Sequence, residues 1–239
     1  MHNMKKRGRK DKGKRFWDKE YKTSSHLALS DNPSSDLMKF TRWLVREFGK
    51  TYLNTRMSVA DLGCGNGRNL IYLSNTFGIH GFGFDISSEA IEQARQKGEG
   101  LPLEFTALSI AEPIPLPDNS QDMVLDMMTS HFLNEAQRKS LLDEITRILK
   151  PEGWLFFKTF LLDEDMHAAR LLKSHPGNEP GTYIHPKMNV PEHVSTEEEI
   201  RERFDKYFFI HKIYKSHRHL IRGRANKRRS ICVYAQKLS

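Results

Sequence analysis

Residues 59–69 read Val-Ala-Asp-Leu-Gly-Cys-Gly-Asn-Gly-Arg-Asn, and no other stretch limits the possible folds as tightly. An apolar run fit for a buried strand passes straight into three glycines at alternate positions, and a helical pattern opens behind them. Glycines at such a turn let the backbone bend tightly and approach a ligand with no Cβ in the way. The carboxylate of Asp61 can hold the turn through backbone N–H groups. The second half of the pattern is Gly83-Phe84-Asp85-Ile86-Ser87, which closes the next apolar run 18 residues beyond Gly67. An acid at a strand end can accept two hydrogen bonds from a ribose diol. A dinucleotide site shows the same acid. Here, however, the spacing is G-x-G-x-G rather than G-x-G-x-x-G, and no second glycine fingerprint occurs.

Strands and helices alternate around this pair. Apolar periodicity predicts a helix over 36–48, strands over 57–62 and 79–86, and helices over 69–77 and 87–97. Further strands are expected over 103–108, 123–126 and 154–160, with a helix over 135–149 capped by Asn134. A helix opening at Ser195-Thr196 and strands over 207–215 and 230–237 complete the series. The pattern predicts an α/β, doubly wound, mostly parallel sheet with helices on both faces. Its 239 residues suit one large domain. Residues 161–195 break the alternation with several Pro, Gly and His and read as a lid-like insertion. Residues 1–15 read as a disordered basic tail, and Phe16, Trp17 and Tyr21 as the start of an ordered domain that runs to residue 239.

From Phe16 onward the chain resembles the class I S-adenosylmethionine (SAM)-dependent methyltransferases. DLGCGNGRN (61–69), GFDIS (83–87), PLPDNSQDMVL (115–125) and RILKPEGWLFF (147–157) stand in that family's order and spacing. The resemblance implies seven strands in the order 3-2-1-4-5-7-6, the last antiparallel, with SAM across the carboxyl ends of the first two. It places Asp61, Gly63, Gly65 and Gly67 along the cofactor loop. It gives Asp85 the ribose hydroxyls and packs Ile86 on the adenine. Many relatives carry an acid after the third strand; this chain has Leu108-Ser109-Ile110-Ala111, so Ser109 or a backbone group near Ile110 would take that contact. Trp17 and Tyr21 match an aromatic pair that helps close the cofactor pocket in many relatives, or else pack on the core.

Methyl transfer is a displacement at an already activated carbon, so the protein mainly aligns the partners and removes a proton where the acceptor requires it. The candidate catalytic residues are Asp126 and His131, after the fourth strand, and Lys158, at the end of the fifth. An Asp126–Lys158 pair would resemble that of the FtsJ-like RNA 2′-O-methyltransferases, or serve as a structural ion pair. The glycine loop departs from that family, and Ile231 and Cys232 stand where its last strand carries Glu. In the insertion, Tyr183 and His185 are candidates for touching substrate. Asp163, Asp165, His167, His175, His185, Glu192 and His193 match no metal motif, and no metal is expected.

Charge is concentrated at two places. Residues 1–15 hold eight Lys/Arg and one acid, and residues 211–229 hold eight Lys/Arg and no acid, leaving 22 Lys/Arg against 29 Asp/Glu elsewhere. Such segments can meet RNA by counterion release. The favoured acceptor on this ground is RNA, held by Arg222, Arg224, Arg228 and Arg229. The alternatives are a small-molecule acceptor, then a protein lysine, then a module that binds SAM without turnover. Two cysteines, no signal-peptide pattern and no membrane-length apolar run point to the cytoplasm.

Overall fold

The computed structural model describes residues 2–24, 26, 29–217, 219–221 and 224–239; for 2–12, 219–221 and 224–227 it describes the backbone alone. Strands β1 (Ser58–Leu62), β2 (His80–Asp85), β3 (Leu103–Ala107), β4 (Gln121–Met127), β5 (Leu149–Phe160), β8 (Phe208–Lys215) and β11 (Ser230–Lys237) form a seven-stranded sheet in the order β3-β2-β1-β4-β5-β11-β8. The last strand pairs antiparallel with both β5 and β8. Two small antiparallel ribbons, which the alternation pattern does not announce, stand apart from it: β6 (Thr182–Ile184) with β7 (Pro191–His193), and β9 (His219–Ile221) with β10 (Arg224–Lys227). Among the described residues no helix is long and apolar enough to cross a membrane.

The sequence reads as one domain from residue 16, whereas the chain clusters into two compact units, Met1–Glu112 and Pro113–Ser239. The strand–helix period continues through residue 112 and gives no sign of the division. The first unit contains α1 (His2–Thr23), α2 (Ser35–Phe48), α3 (Arg68–Phe77) and α4 (Ser88–Lys97) with β1 to β3. Helix α2 buries Leu37, Phe40 and Leu44, the stripe expected from its spacing. Gly78 ends α3 in the left-handed conformation, and the Ser87 hydroxyl caps α4 by accepting the Ala90 N–H. In place of a disordered tail, the backbone of residues 2–15 continues α1. Lys and Arg are good helix formers, and these turns extend a helix already anchored at its Phe16–Tyr21 end.

The second unit contains α5 (Glu135–Ile148), α6 (Met166–Ser174) and α7 (Glu197–Phe204) with the remaining strands. Asn134 and Gln137 form a capping box on α5, and the Thr196 hydroxyl accepts the Glu199 N–H at the start of α7. Strand β5 begins five residues earlier than expected. Its ladder with β4 starts at Gln121–Leu149 and resumes at Met123–Trp154, so Pro151 falls in the irregularity, where no ladder N–H is needed. The insertion folds on its own small core of Ala168, Leu171, Tyr183 and Val194, with Phe160, Leu162 and Leu172 against it.

Candidate functional site

In the first unit the chain turns as soon as β1 ends. The N–H groups of Gly63 and Cys64 both donate to the Phe84 carbonyl, at 2.7 and 3.0 Å, sewing the loop to β2. Gly63, Gly65 and Gly67 all have positive φ. At two of them space is short as well. A Cβ on Gly65 would lie 2.3 Å from the Tyr21 hydroxyl, and one on Gly67 would lie 2.9 Å from the Phe105 ring. Asp85 stands at the end of β2. Its Oδ2 accepts the Gly65 N–H (3.0 Å) and its Oδ1 the Ser87 N–H (2.9 Å). Burial pushes this carboxyl up to about 6, against the pull of those two donors. Each oxygen keeps acceptor capacity for a hydroxyl. Asp61 is buried at the end of β1, Ile86 is half-buried, and Ile110 is buried beside Ser109, whose hydroxyl accepts the Ala111 N–H at 3.4 Å.

Helix α1 and the segment after it brace this loop. The Asp18 carboxylate accepts the Ser87 hydroxyl (2.9 Å), and Gln93 donates to the Tyr21 carbonyl (2.8 Å). The Asn66 amide donates to Asp31 (2.9 Å), Arg68 to the Asn32 carbonyl (3.0 Å), and the Ser34 N–H to Asn69 (3.0 Å). A buried acid that receives two backbone N–H groups, beside glycines that hold the backbone bare, fits a nucleoside with a free ribose diol.

In the second unit the carboxyl ends of β4 and β5 carry the other candidates. Asp126 is buried, and its Oδ1 accepts the Ser130 N–H (3.2 Å); burial pushes the carboxyl up to about 6. Ser130 opens a 3₁₀ turn (Ser130–Phe132) that holds His131. The His131 side chain is 3% exposed. Its ring packs on Phe132, with centroids 4.0 Å apart, and stands edge-on to Phe160 at 5.0 Å. Neither ring nitrogen has a hydrogen-bond partner among the described residues. Burial, reinforced by the charges of Arg228, His193 and Arg138, holds the imidazole well below its ordinary pKa. The Arg228 guanidinium lies on the face of Phe160, 3.4 Å from the centroid, and donates to the Tyr183 hydroxyl and the Glu192 carboxylate. Tyr183 and Glu192 are themselves hydrogen-bonded across the β6–β7 ribbon.

Residues 59–153 match the methyltransferase domain family. A glycine/sarcosine/dimethylglycine N-methyltransferase of Actinopolyspora halophila is 31% identical over 137 residues, which are 55% of this chain and 24% of that protein. A fatty-acid O-methyltransferase of Mycolicibacterium smegmatis is 28% identical over 129 residues, 52% of this chain and 46% of that one. The chain thus spans less than half the length of either relative. A SAM-dependent methyltransferase structure from Methanosarcina mazei superposes with a TM-score of 0.65 at 25% identity, covering 79% of this chain and 96% of that one. Residues 59–153 thus carry a methyltransferase domain, on a fold shared with the SAM-dependent methyltransferases. The cofactor of such a methyltransferase is SAM, and the Asp85 carboxylate, with acceptor capacity left on both oxygens, suits its ribose hydroxyls.

The structure separates several residues that the sequence puts together. Asp126 is in register with Phe157, and Lys158 with Met127. Partners in register share a face of the sheet, so Asp126 and Lys158 lie on opposite faces and form no pair. Arg229 is buried rather than exposed for RNA. Its N–H donates to Asp165 (2.6 Å), its Nη1 to the Asp163 carbonyl and the Glu164 carboxylate (2.8 Å each), and its Nε to the Ser216 carbonyl (3.2 Å). Arg228 is likewise turned inward, because Glu192 and Tyr183 claim it. Arg222 lies outside the described residues, and only the backbone of Arg224 is described. His185 takes up the Met188 N–H (3.1 Å) of its own turn, which gives its Nδ1 a structural duty. The other insertion histidines are locally engaged: His167 with Arg170, His175 with Ser174, His193 with Thr182 and Glu199. Asp18, Asn66 and the pairing of Glu192 with Arg228 escape sequence reading, since the partners lie 69, 35 and 36 residues away. Tyr183, expected to touch substrate, is instead buried, with its hydroxyl held by Glu192 and Arg228.

Proposed function

We propose that this protein transfers the methyl group of SAM to a small-molecule acceptor. The observation that carries the acceptor class is the burial and inward engagement of Arg229: a base expected to meet RNA is held by Asp163, Glu164 and Ser216 instead. The relatives named above for glycine derivatives and for a fatty acid support the same class. When bound, SAM supplies a methyl carbon activated by a positive sulfur. The chain binds and orients it. Asp85 takes the ribose hydroxyls, the bare backbone at Gly63, Gly65 and Gly67 admits close approach, Ile86 packs on the adenine, and the segment around Ser109 and Ile110 meets its edge. Tyr21 covers Gly65 and keeps water from the loop. Both thiols, Cys64 and Cys232, are buried and outside any disulfide, as suits a reducing compartment such as the cytoplasm.

The test has two parts. Calorimetry should show S-adenosylhomocysteine binding, weakened about tenfold or more in Asp85→Ala by loss of a charged acceptor worth about 1.5–3 kcal/mol. Tritiated SAM should then label a small-metabolite fraction. Label appearing only in total RNA would restore RNA as the acceptor, and label only in protein would point to lysine.

A further inference from the structure

A buried and a half-buried group of the second unit meet at the Phe160 ring. His131, whose two ring nitrogens have no partner among the described residues, stands at its edge, and the Arg228 guanidinium lies flat on its face. We infer that His131, Phe132, Phe160 and Arg228 form the acceptor subsite, and that the acceptor is a small carboxylic acid with an apolar body, methylated on a carboxylate oxygen. This deepens the methyltransferase reading and rests on it.

The argument starts from the cost of the observed arrangement. A buried imidazole has one donor and one acceptor, and leaving both unused costs free energy that a ligand would recover. Its walls are the aromatic rings of Phe132 and Phe160, which suit an apolar body. The field at the ring is positive, from Arg228, His193 and Arg138. The neighbouring acids are occupied. Glu192 is bound by Arg228 and Tyr183, Glu199 by His193 and Arg203, and Glu179 lies 3.6 Å from Arg138. A positive field draws an anion and makes His131 a poor proton acceptor. An alcohol or an ammonium must lose a proton before or during attack, and this ring would not take it. A carboxylate arrives ionised. Its oxygen forms the new bond to the methyl carbon while the carbon–sulfur bond breaks and its electron pair stays on sulfur. The products are a neutral ester and a neutral thioether, and no proton moves. The Glu192–Tyr183 contact fixes the guanidinium plane against Phe160, where a planar donor group meets a planar carboxylate.

The experiment pairs tritiated SAM with octanoate, benzoate, octanol and octylamine, and reads both total label and the label that alkali releases as methanol. Octanoate or benzoate should acquire alkali-labile label, the alcohol and amine none. With protein saturated in S-adenosylhomocysteine, calorimetry should detect acid binding that Arg228→Gln weakens about tenfold or more and Arg228→Lys partly restores, since hydrogen bonds to charged groups have that size. His131→Phe, which keeps a ring but removes both nitrogens, should weaken it too. Both variants should keep wild-type affinity for S-adenosylhomocysteine, which also reports that they fold. Label on octanol or octylamine in preference to the acids, or absence of acid binding while S-adenosylhomocysteine binds, overturns the carboxylate subsite. Failure of the wild type to bind S-adenosylhomocysteine overturns the methyltransferase reading instead.

Discussion

Gly65 is held by two independent constraints, a φ of +57° and the Tyr21 hydroxyl 2.3 Å from where a Cβ would go. Gly65→Ala should lower the melting temperature by several degrees. Tyr21→Ala in the same chain should recover only the steric part, leaving about 1–3 kcal/mol for a non-glycine residue in the left-handed region. Differential scanning calorimetry on the single and double variants separates the two. Asp126 makes a different kind of prediction. Burial raises its carboxyl from 3.8 to about 6, so its ionisation opposes the fold, and the stability it contributes is present below pH 4 and lost as pH rises through 6. Asp126→Asn, which can still accept the Ser130 N–H, should match wild type near pH 4 and exceed it by up to about 3 kcal/mol above pH 7. A gain that is flat with pH would show that the carboxylate is not buried as described. The glycines and Asp85 were legible in sequence because their demand is local: a turn needs certain residues at certain spacings. The duty of Arg229 was not, because a basic residue in a basic run carries no mark of which four partners it will meet.

At the scale of elements, α1 is joined to α4 by Asp18 and by the Tyr21 carbonyl, while residues 2–12 lie before these ties. Removing residues 1–12 should therefore leave S-adenosylhomocysteine affinity unchanged, and removing 1–23 should reduce it severalfold by uncovering Gly65. Equal losses from both truncations would refute this division of labour. The strands and helices themselves were readable, since a period of two or 3.6 residues is written in the chain. Helix α1 shows where periodicity falls silent: residues 2–15 carry no apolar period in sequence, and only attachment to an anchored segment carries them into a helix. The β6–β7 ribbon was unreadable for a related reason. Strands of three residues are too short to display alternation.

For the molecule as a whole, the charge map misled in one respect: two of the four arginines assigned to RNA brace the interior. Arg229→Ser should lower the melting temperature, because the half-buried Asp163 and Ser216 carbonyls lose their donor, at about 0.5–1.5 kcal/mol per hydrogen bond. An arginine that only met phosphate would leave thermal stability unchanged and alter RNA affinity instead, so a melting curve decides between the two. The carboxylate of Asp165 takes part in the same bracing. One oxygen caps α6 by accepting the His167 and Ala168 N–H groups at 2.9 Å each, and the other receives the Arg229 N–H. The consequence concerns heritability of specificity. Residues 161–195 look like a cassette that recombination could exchange to change substrates, yet their first helix is fastened to the chain that leads into β11. A transplant of 161–195 alone into another scaffold should arrive unfastened, and one that also carries 216–229 should arrive intact.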